Sequence, residues 1–497
     1  MQTRCSGVLL HITSLPSRFG IGDLGPQAYK FADLLAASRQ TLWQMLPVNP
    51  TVPENSYSPY SCTSAFAGNW MLLSPDLLVA DGLLDLAELD NAPSFDKDHV
   101  SFPEVAKYKR HLVDLACSRL RDDSGYDFAS FCREHAKWLD DYATFKAFGA
   151  HRKSQKWSTW PEGLRRRDDP HVLELKDKLN ETIELVKIEQ FLFFRQWESL
   201  KRYCNDRGIA LLGDMPLYIA HETADVWANH RLFSLDEAGN MEFVSGVPST
   251  SFNPEGQKWG TPLYDWQAHA QEGFTWWISR MRHNLRMFDW MRIDHFLGLV
   301  DFWAIPAKSK SALKGQWHRG PREDFFDAMY HHLPCMAIVA EDLGLSTADA
   351  RELMSKYNLP GMRVLVDGFN EEPGKSYFLP HNHVSNCLVY TSTHDTHTVM
   401  GWYDNASSDQ KRRLTTYLAH RPERSSLRWD FIRLAMSSVG RGVIIQMQDL
   451  LGLGEKSRMN RPGIPSGNWT WRMRPGAITG NLSKLLAEVT ITYGRYS

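Results

Sequence analysis

Eight short apolar runs, most of them set off from the next by helix-patterned sequence, constrain this chain more than any other feature. They cover residues 7–11, 41–46, 209–214, 288–294, 337–341, 362–366, 387–391 and 442–446. Each carries β-branched or aromatic residues and is continuously apolar rather than alternating, as parallel strands covered on both faces require. Between them, residues 181–204 (ETIELVKIEQFLFFRQWESLKRYC) carry an apolar stripe at helical spacing. They meet a stop signal at 205–208 and lead into the run that begins at Ile209. Helix, short turn and strand is the α/β rhythm, and eight such strands predict a (β/α)8 barrel.

The spacing of the runs is uneven. Residues 1–56 hold strands one and two, and 57–205 read as an inserted helical subdomain closed by the helix that returns to the barrel. Residues 206–223 hold strand three, 224–286 form a second insertion, and 287–497 hold strands four to eight with C-terminal elements. Inside the second insertion, 246–264 is punctuated by Pro248, Pro254, Gly256 and Gly260. It shows neither helical nor strand period, so an irregular flap over the active face is expected.

Acidic residues stand at four of the strand ends, in FDWMRIDHF (Asp294), MAIVAEDLG (Glu341), CLVYTSTHDTH (Asp395) and LLGDMPLY (Asp214). A carboxylate at the end of an apolar run is costly unless it is hydrogen-bonded or working. A barrel brings all its C-terminal strand ends to one face, and carboxylates gathered there suit glycosidic-bond chemistry. Arg292 lies two residues before Asp294, on the same side of a strand. A nucleophilic aspartate has to be ionised and a neighbouring guanidinium favours that form; the alternative is a purely structural Arg–Asp pair. Glu341, at the rim of the core, would have its pKa raised by desolvation, as a general acid needs. Alternatively Glu341 or Asp342 caps the following helix. His394 and Asp395 suit a grip on sugar hydroxyls; the rival is a metal held by His394, Asp395 and His397, whose loop spacing argues against it. For Asp214 the spacing leaves substrate binding and loop capping equally open.

Composition narrows the chemistry. A net charge of −2 without a basic stripe argues against nucleic acid. The chain has neither G-x-x-x-x-G-K-[ST] nor a strand-borne G-x-G-x-x-G, so nucleotide cofactors are not expected. A G-x-S-x-G elbow is missing too. Seven scattered cysteines without a C-x-x-C pair fit a reducing compartment. The first apolar run is too short for a signal peptide, and no stretch approaches the ~20 apolar residues of a membrane span. A cytoplasmic protein without membrane partners is the expectation. The 18 Trp, 17 Tyr and 24 Phe are enough to fill a core and still leave rings for stacking on the apolar faces of sugars.

The motifs SGVLLHITSLPSRFGIGDLG, SAFAGN, GDMPLYIAHETADVWAN, GQKWGTPLY, MRIDHFLG, VAEDLG, PGMRVL, TSTHDTHT, QDLLGLGEKSRMNRPG and SGNWTWR occur in this order. In them the chain resembles the amylomaltase or 4-α-glucanotransferase (disproportionating enzyme) family of the α-amylase superfamily, nearly end to end. The resemblance implies transfer of α-1,4-glucan segments from a glucan donor to a glucan acceptor, with net retention and no cofactor or metal. It implies Asp294 as nucleophile, Glu341 as general acid/base and Asp395 as transition-state stabiliser. It implies Arg292, Asp214 and His394 as sugar ligands on the non-reducing side, with Tyr60 and Trp259 as aromatic contacts and Asn468 lining the site; Phe252 and Trp259, the large aromatics of the 246–264 flap, are expected to stack over the acceptor side. The chain departs from the family pattern at Ser251, Leu297, Asn370, Thr396 and His397, none of them in the triad. A retaining hydrolase with the same machinery, a non-catalytic glucan-binding protein and a metal-dependent barrel hydrolase are the rival readings. Oligomeric state is not legible.

Overall fold

A computed structural model describes residues 4–122, 126–167, 170–249, 254–344 and 347–496. The eight apolar runs are eight parallel strands. They are Cys5–Leu9, Leu42–Gln44, Ala210–Pro216, Trp290–Asp294, Ile338–Ala340, Gly361–Val364, Cys387–Tyr390 and Gly442–Gln446, here called strands one to eight. They pair in chain order, with strand one also paired to strand eight. Between strands five and six the seam closes through the Ala340 amide, which donates to the Pro360 carbonyl at 2.8 Å. Asp342 stitches the same seam: it accepts from the Met362 amide at 2.7 Å and pairs with Arg363 at 2.9 Å. The result is a (β/α)8 barrel whose strands are almost wholly buried.

The helix that leads into strand three spans Asn180–Asn205. Its apolar stripe, Ile188, Leu192, Phe193, Trp197, Leu200 and Cys204, is buried. Two buried glutamines on it lock the loop after strand two: Gln190 accepts from Gly68 N and Gln196 from Ser74 N. Gly68 lies so near the Phe193 ring that a Cβ would sit 2.0 Å from it. The helix ends as expected, with Gly208 turning the chain at φ +72°. The long helices Phe102–Asp122 and Tyr126–Arg152 also fall between strands two and three and pack on it. Among the described residues no helix is long and apolar enough to cross a membrane.

Residues 246–264 are not the irregular flap expected. Phe243–Val247 and Gln257–Pro262 are strands of an antiparallel sheet completed by Asp301–Pro306 and Gln316–Arg319. Glycine and proline mark where these strands end and bend. Pro248 follows the first strand, Gly256 (φ +65°) precedes the second, and Gly260 (φ +78°) lies where the register shifts. The first strand pairs on its other edge with Asp301–Pro306, far along the chain, a partner that no local pattern betrays.

Candidate active site

The functional side chains stand where the strands of the barrel end. In strand four, Arg292 and Asp294 share a face, and register opposes Asp214 of strand three to Arg292. Arg292 Nη1 donates to both Asp214 oxygens, at 2.7 and 2.9 Å, and to Asp294 Oδ1 at 2.9 Å. The Asp214 and Arg292 side chains are sealed, 0% and 4% exposed, whereas Asp294 is 27% exposed. The guanidinium thus joins a carboxylate in the barrel wall to one that faces the cleft.

Glu341 follows strand five. Because Ile293 pairs with Ala340, the next position sets Asp294 beside Glu341 on neighbouring strands, whose spacing is about 4.8 Å. The Glu341 carboxylate accepts from the amides of His295 and Leu343, each at 2.9 Å. His295 is left-handed at φ +53°, which turns its N–H onto Glu341. Neither Glu341 nor Asp342 caps the next helix. That helix begins at Ala348 with Thr347 as its cap, while Asp342 is used at the barrel seam. Burial pushes the Glu341 pKa up to about 7; Arg292 opposes this and the Asp294 charge adds to it.

His394 and Asp395 lie on the loop after strand seven, and Tyr60 on the loop after strand two. The Tyr60 hydroxyl donates to Asp214 Oδ2 at 2.8 Å and lies 2.7 Å from His394 Nε2. Its ring stacks on that of His394 with centroids 5.4 Å apart. His394 Nε2 is 3.2 Å from Asp395 Oδ2. Burial works against the charged forms of both residues. Their mutual attraction outweighs it, raising His394 and, with the Asn460 hydrogen bond, holding Asp395 below the usual carboxylate range. His397 turns away to Glu455 Oε2, 2.6 Å from its Nδ1.

Trp259 is 39% exposed. Its ring meets His295 edge-on at 4.6 Å, and its Nε1 donates to Gln257. Phe252 lies outside the described residues, as does Ser251. Asn468 spends its amide on its own loop, accepting from Arg461 N and donating to Ile464 O. The ring that reaches the site from there is the next residue, Trp469, 5.6 Å from Tyr60. Asp214, Arg292, Asp294, Glu341, Tyr60, His394 and Asp395 therefore form one connected cluster. Trp259 borders it through His295, and Asn468 supports a neighbouring loop.

Sequence reasoning assigns no role to His295, Trp469, Asn460 or Arg458. Asn460 Nδ2 donates to Asp395 Oδ1 at 2.6 Å and Arg458 Nη2 to the Asp395 carbonyl at 2.5 Å. Both lie in the loop after strand eight, where no periodicity marks which side chains converge. The only signal was their place inside QDLLGLGEKSRMNRPG.

Carboxylates, one guanidinium and aromatic rings gathered where parallel strands end define a barrel enzyme with acid–base groups at its C-terminal face. The family model for 4-alpha-glucanotransferase matches residues 10–479. A 4-alpha-glucanotransferase of Synechocystis sp. is 42% identical, covering 100% of this chain and 99% of its own. The chloroplastic/amyloplastic 4-alpha-glucanotransferase of Solanum tuberosum is 40% identical over 99% of this chain and 86% of its own. The solved amylomaltase of Streptococcus agalactiae in complex with acarbose superposes with a TM-score of 0.96 at 35% identity, covering 99% and 100% of the two chains. The chain belongs to the 4-alpha-glucanotransferase family.

Proposed function

We propose that this 4-alpha-glucanotransferase works by double displacement on α-1,4-glucans, with Asp294 as nucleophile, Glu341 as general acid/base and Asp395 as the stabiliser of the oxocarbenium-like transition state. The observation that carries the reading is the pair at the ends of strands four and five. Asp294 rests on Arg292 and opens to the cleft. Glu341 beside it is pushed up to about 7 by burial, and so keeps a proton to give near neutral pH. Neighbouring strand positions suit the ~5–5.5 Å carboxyl separation of retaining enzymes.

In the first step a carboxylate oxygen of Asp294 bonds to the anomeric carbon. The glycosidic C–O bond breaks, and its electron pair takes the Glu341 proton on the leaving 4-oxygen. Esterified Asp294 carries no charge, so the part of the Glu341 rise that its charge supplies disappears while that of burial stays. Its pKa falls, and the group that served as acid becomes a base. It then takes the proton of an incoming glucan 4-hydroxyl, whose oxygen displaces Asp294. Tyr60, Asp214, Arg292 and His394 bind and orient the donor sugar. Trp259 covers the acceptor side and keeps water from the ester.

Incubation with maltotriose tests the reaction. A ladder of longer maltodextrins plus glucose, with constant reducing ends, is expected. A net rise in reducing ends would mean that water is the main acceptor and would overturn transfer.

A further inference from the structure

Outside the cluster, one fully buried carboxylate has a position the chemistry above leaves unexplained. Asp449 lies in the short helix Met447–Leu450 directly after strand eight, with none of its surface exposed. Its Oδ2 accepts from Thr391 Oγ1 at 2.6 Å and from Ser392 Oγ at 2.5 Å. Its Oδ1 accepts from the Val399 amide at 2.7 Å. Thr391 and Ser392 are where the chain leaves strand seven, and Val399 is the first residue of helix Val399–Asn405. One carboxylate therefore ties the entrance of the His394–Asp395 loop to its exit.

The arrangement is expensive. Among the described residues no cation faces Asp449, which is held by three neutral donors, and burial pushes its pKa up to about 6. A buried charge with neutral partners alone is usually destabilising. Ser392 Oγ also lies against the Gln446 amide. The atom it meets is the amide oxygen Oε1, so the single hydroxyl proton lies between two acceptors, Gln446 Oε1 and Asp449 Oδ2. Gln446 is the last residue of strand eight, so the stem of the loop is anchored to the barrel wall as well. At its tip the same loop is held by Asn460 and Arg458, which touch Asp395 directly.

We infer that Asp449 is a positioning residue for the transfer reaction: by clamping both ends of loop 391–399 it sets where the Asp395 carboxylate meets the sugar. The inference rests on the role proposed for Asp395. A misplacement of about 1 Å at such a group is able to cost ~100-fold in rate. Asp449→Asn keeps the shape but gives up the acceptor for one donor, and it relaxes the clamp without emptying the site.

The test is a double-mutant cycle with Asp395→Asn, measured on maltotriose and on α-glucosyl fluoride, with thermal denaturation alongside. Asp449→Asn is expected to lower kcat ~30- to 100-fold, with KM within ~3-fold and little change in Tm. In the Asp395→Asn background the same substitution is expected to change kcat less than ~3-fold, because the group it positions is gone. Ser392→Ala, which removes one of the three donors, should repeat the pattern more weakly. Equal losses in both backgrounds would overturn the inference, as would wild-type kcat in Asp449→Asn while Asp395→Asn is inactive. Substantial activity in Asp395→Asn itself would instead overturn the role given to Asp395.

Discussion

Replacing Glu341 by glutamine should separate the group's catalytic value from its cost to folding, because only one of the two depends on pH. The Glu341 pKa is raised from its usual 4.5 to about 7. An acid raised in the folded state contributes stability that is fully present below the unfolded value and lost as pH rises through the folded one. A pKa raised that far is worth about 3 kcal/mol in all, most of which falls between about pH 5 and pH 8. Glutamine carries no such term. It also loses something at every pH, because the carboxylate accepts from two backbone amides. A glutamine oxygen serves one of them, a penalty of about 1–2 kcal/mol. The difference in stability between variant and wild type should therefore swing by about 2–3 kcal/mol in favour of glutamine from about pH 5 to pH 8. For 497 residues the unfolding entropy is ~1 kcal/mol/K, which makes the swing about 2–3 °C in Tm. Scanning calorimetry on both proteins at several pH values measures it. Parallel Tm curves across that range would refute the raised pKa and the acid role built on it. The same variant should lose turnover of maltodextrins yet react slowly with α-glucosyl fluoride, whose leaving group needs no proton. Equal loss on both donors would count against Glu341 as the acid.

Other perturbations address the remaining groups. Asp294→Asn should lower turnover more than ~10³-fold with the fold and glucan binding retained, and activity within ~10-fold of wild type would exclude it as nucleophile. Tyr60→Phe withdraws the hydroxyl that lies between Asp214 and His394. A cost of about 1–3 kcal/mol and a fall in kcat/KM of ~10-fold or more are expected, and unchanged kinetics would remove Tyr60 from the site. Trp259→Ala takes away a ring already 39% exposed, so Tm should hardly move while acceptor KM and the ratio of hydrolysis to transfer both rise. A drop of several degrees with an unchanged ratio would make Trp259 an anchor of its sheet instead. In wild type, kcat/KM should fall as pH rises above about 7, as Glu341 loses its proton; a rate that holds flat to pH 9 would contradict this.

What the sequence determined by itself was whatever is repeated locally. Eight apolar runs had to be buried on both faces, and residues of that kind separated by helices close into a barrel. Strand alternation alone put Arg292 and Asp294 on one side, and barrel convergence gave Asp214, Glu341 and Asp395 a common face. The tertiary structure decided what depends on partners far along the chain. Strand Phe243–Val247 pairs on one edge with Gln257–Pro262 and on the other with Asp301–Pro306, and nothing near residue 246 announces the second pairing. Asp342, legible as a helix cap, instead bonds Met362 and Arg363 across the seam, since the distance from a carboxylate to its donors is fixed only when the barrel closes. Asn460, Arg458 and Asp449 reach the Asp395 loop from the other side of strand eight. Each bond is a few ångströms long, whereas its partners are separated by fifty residues or more, and only the folded barrel brings them together.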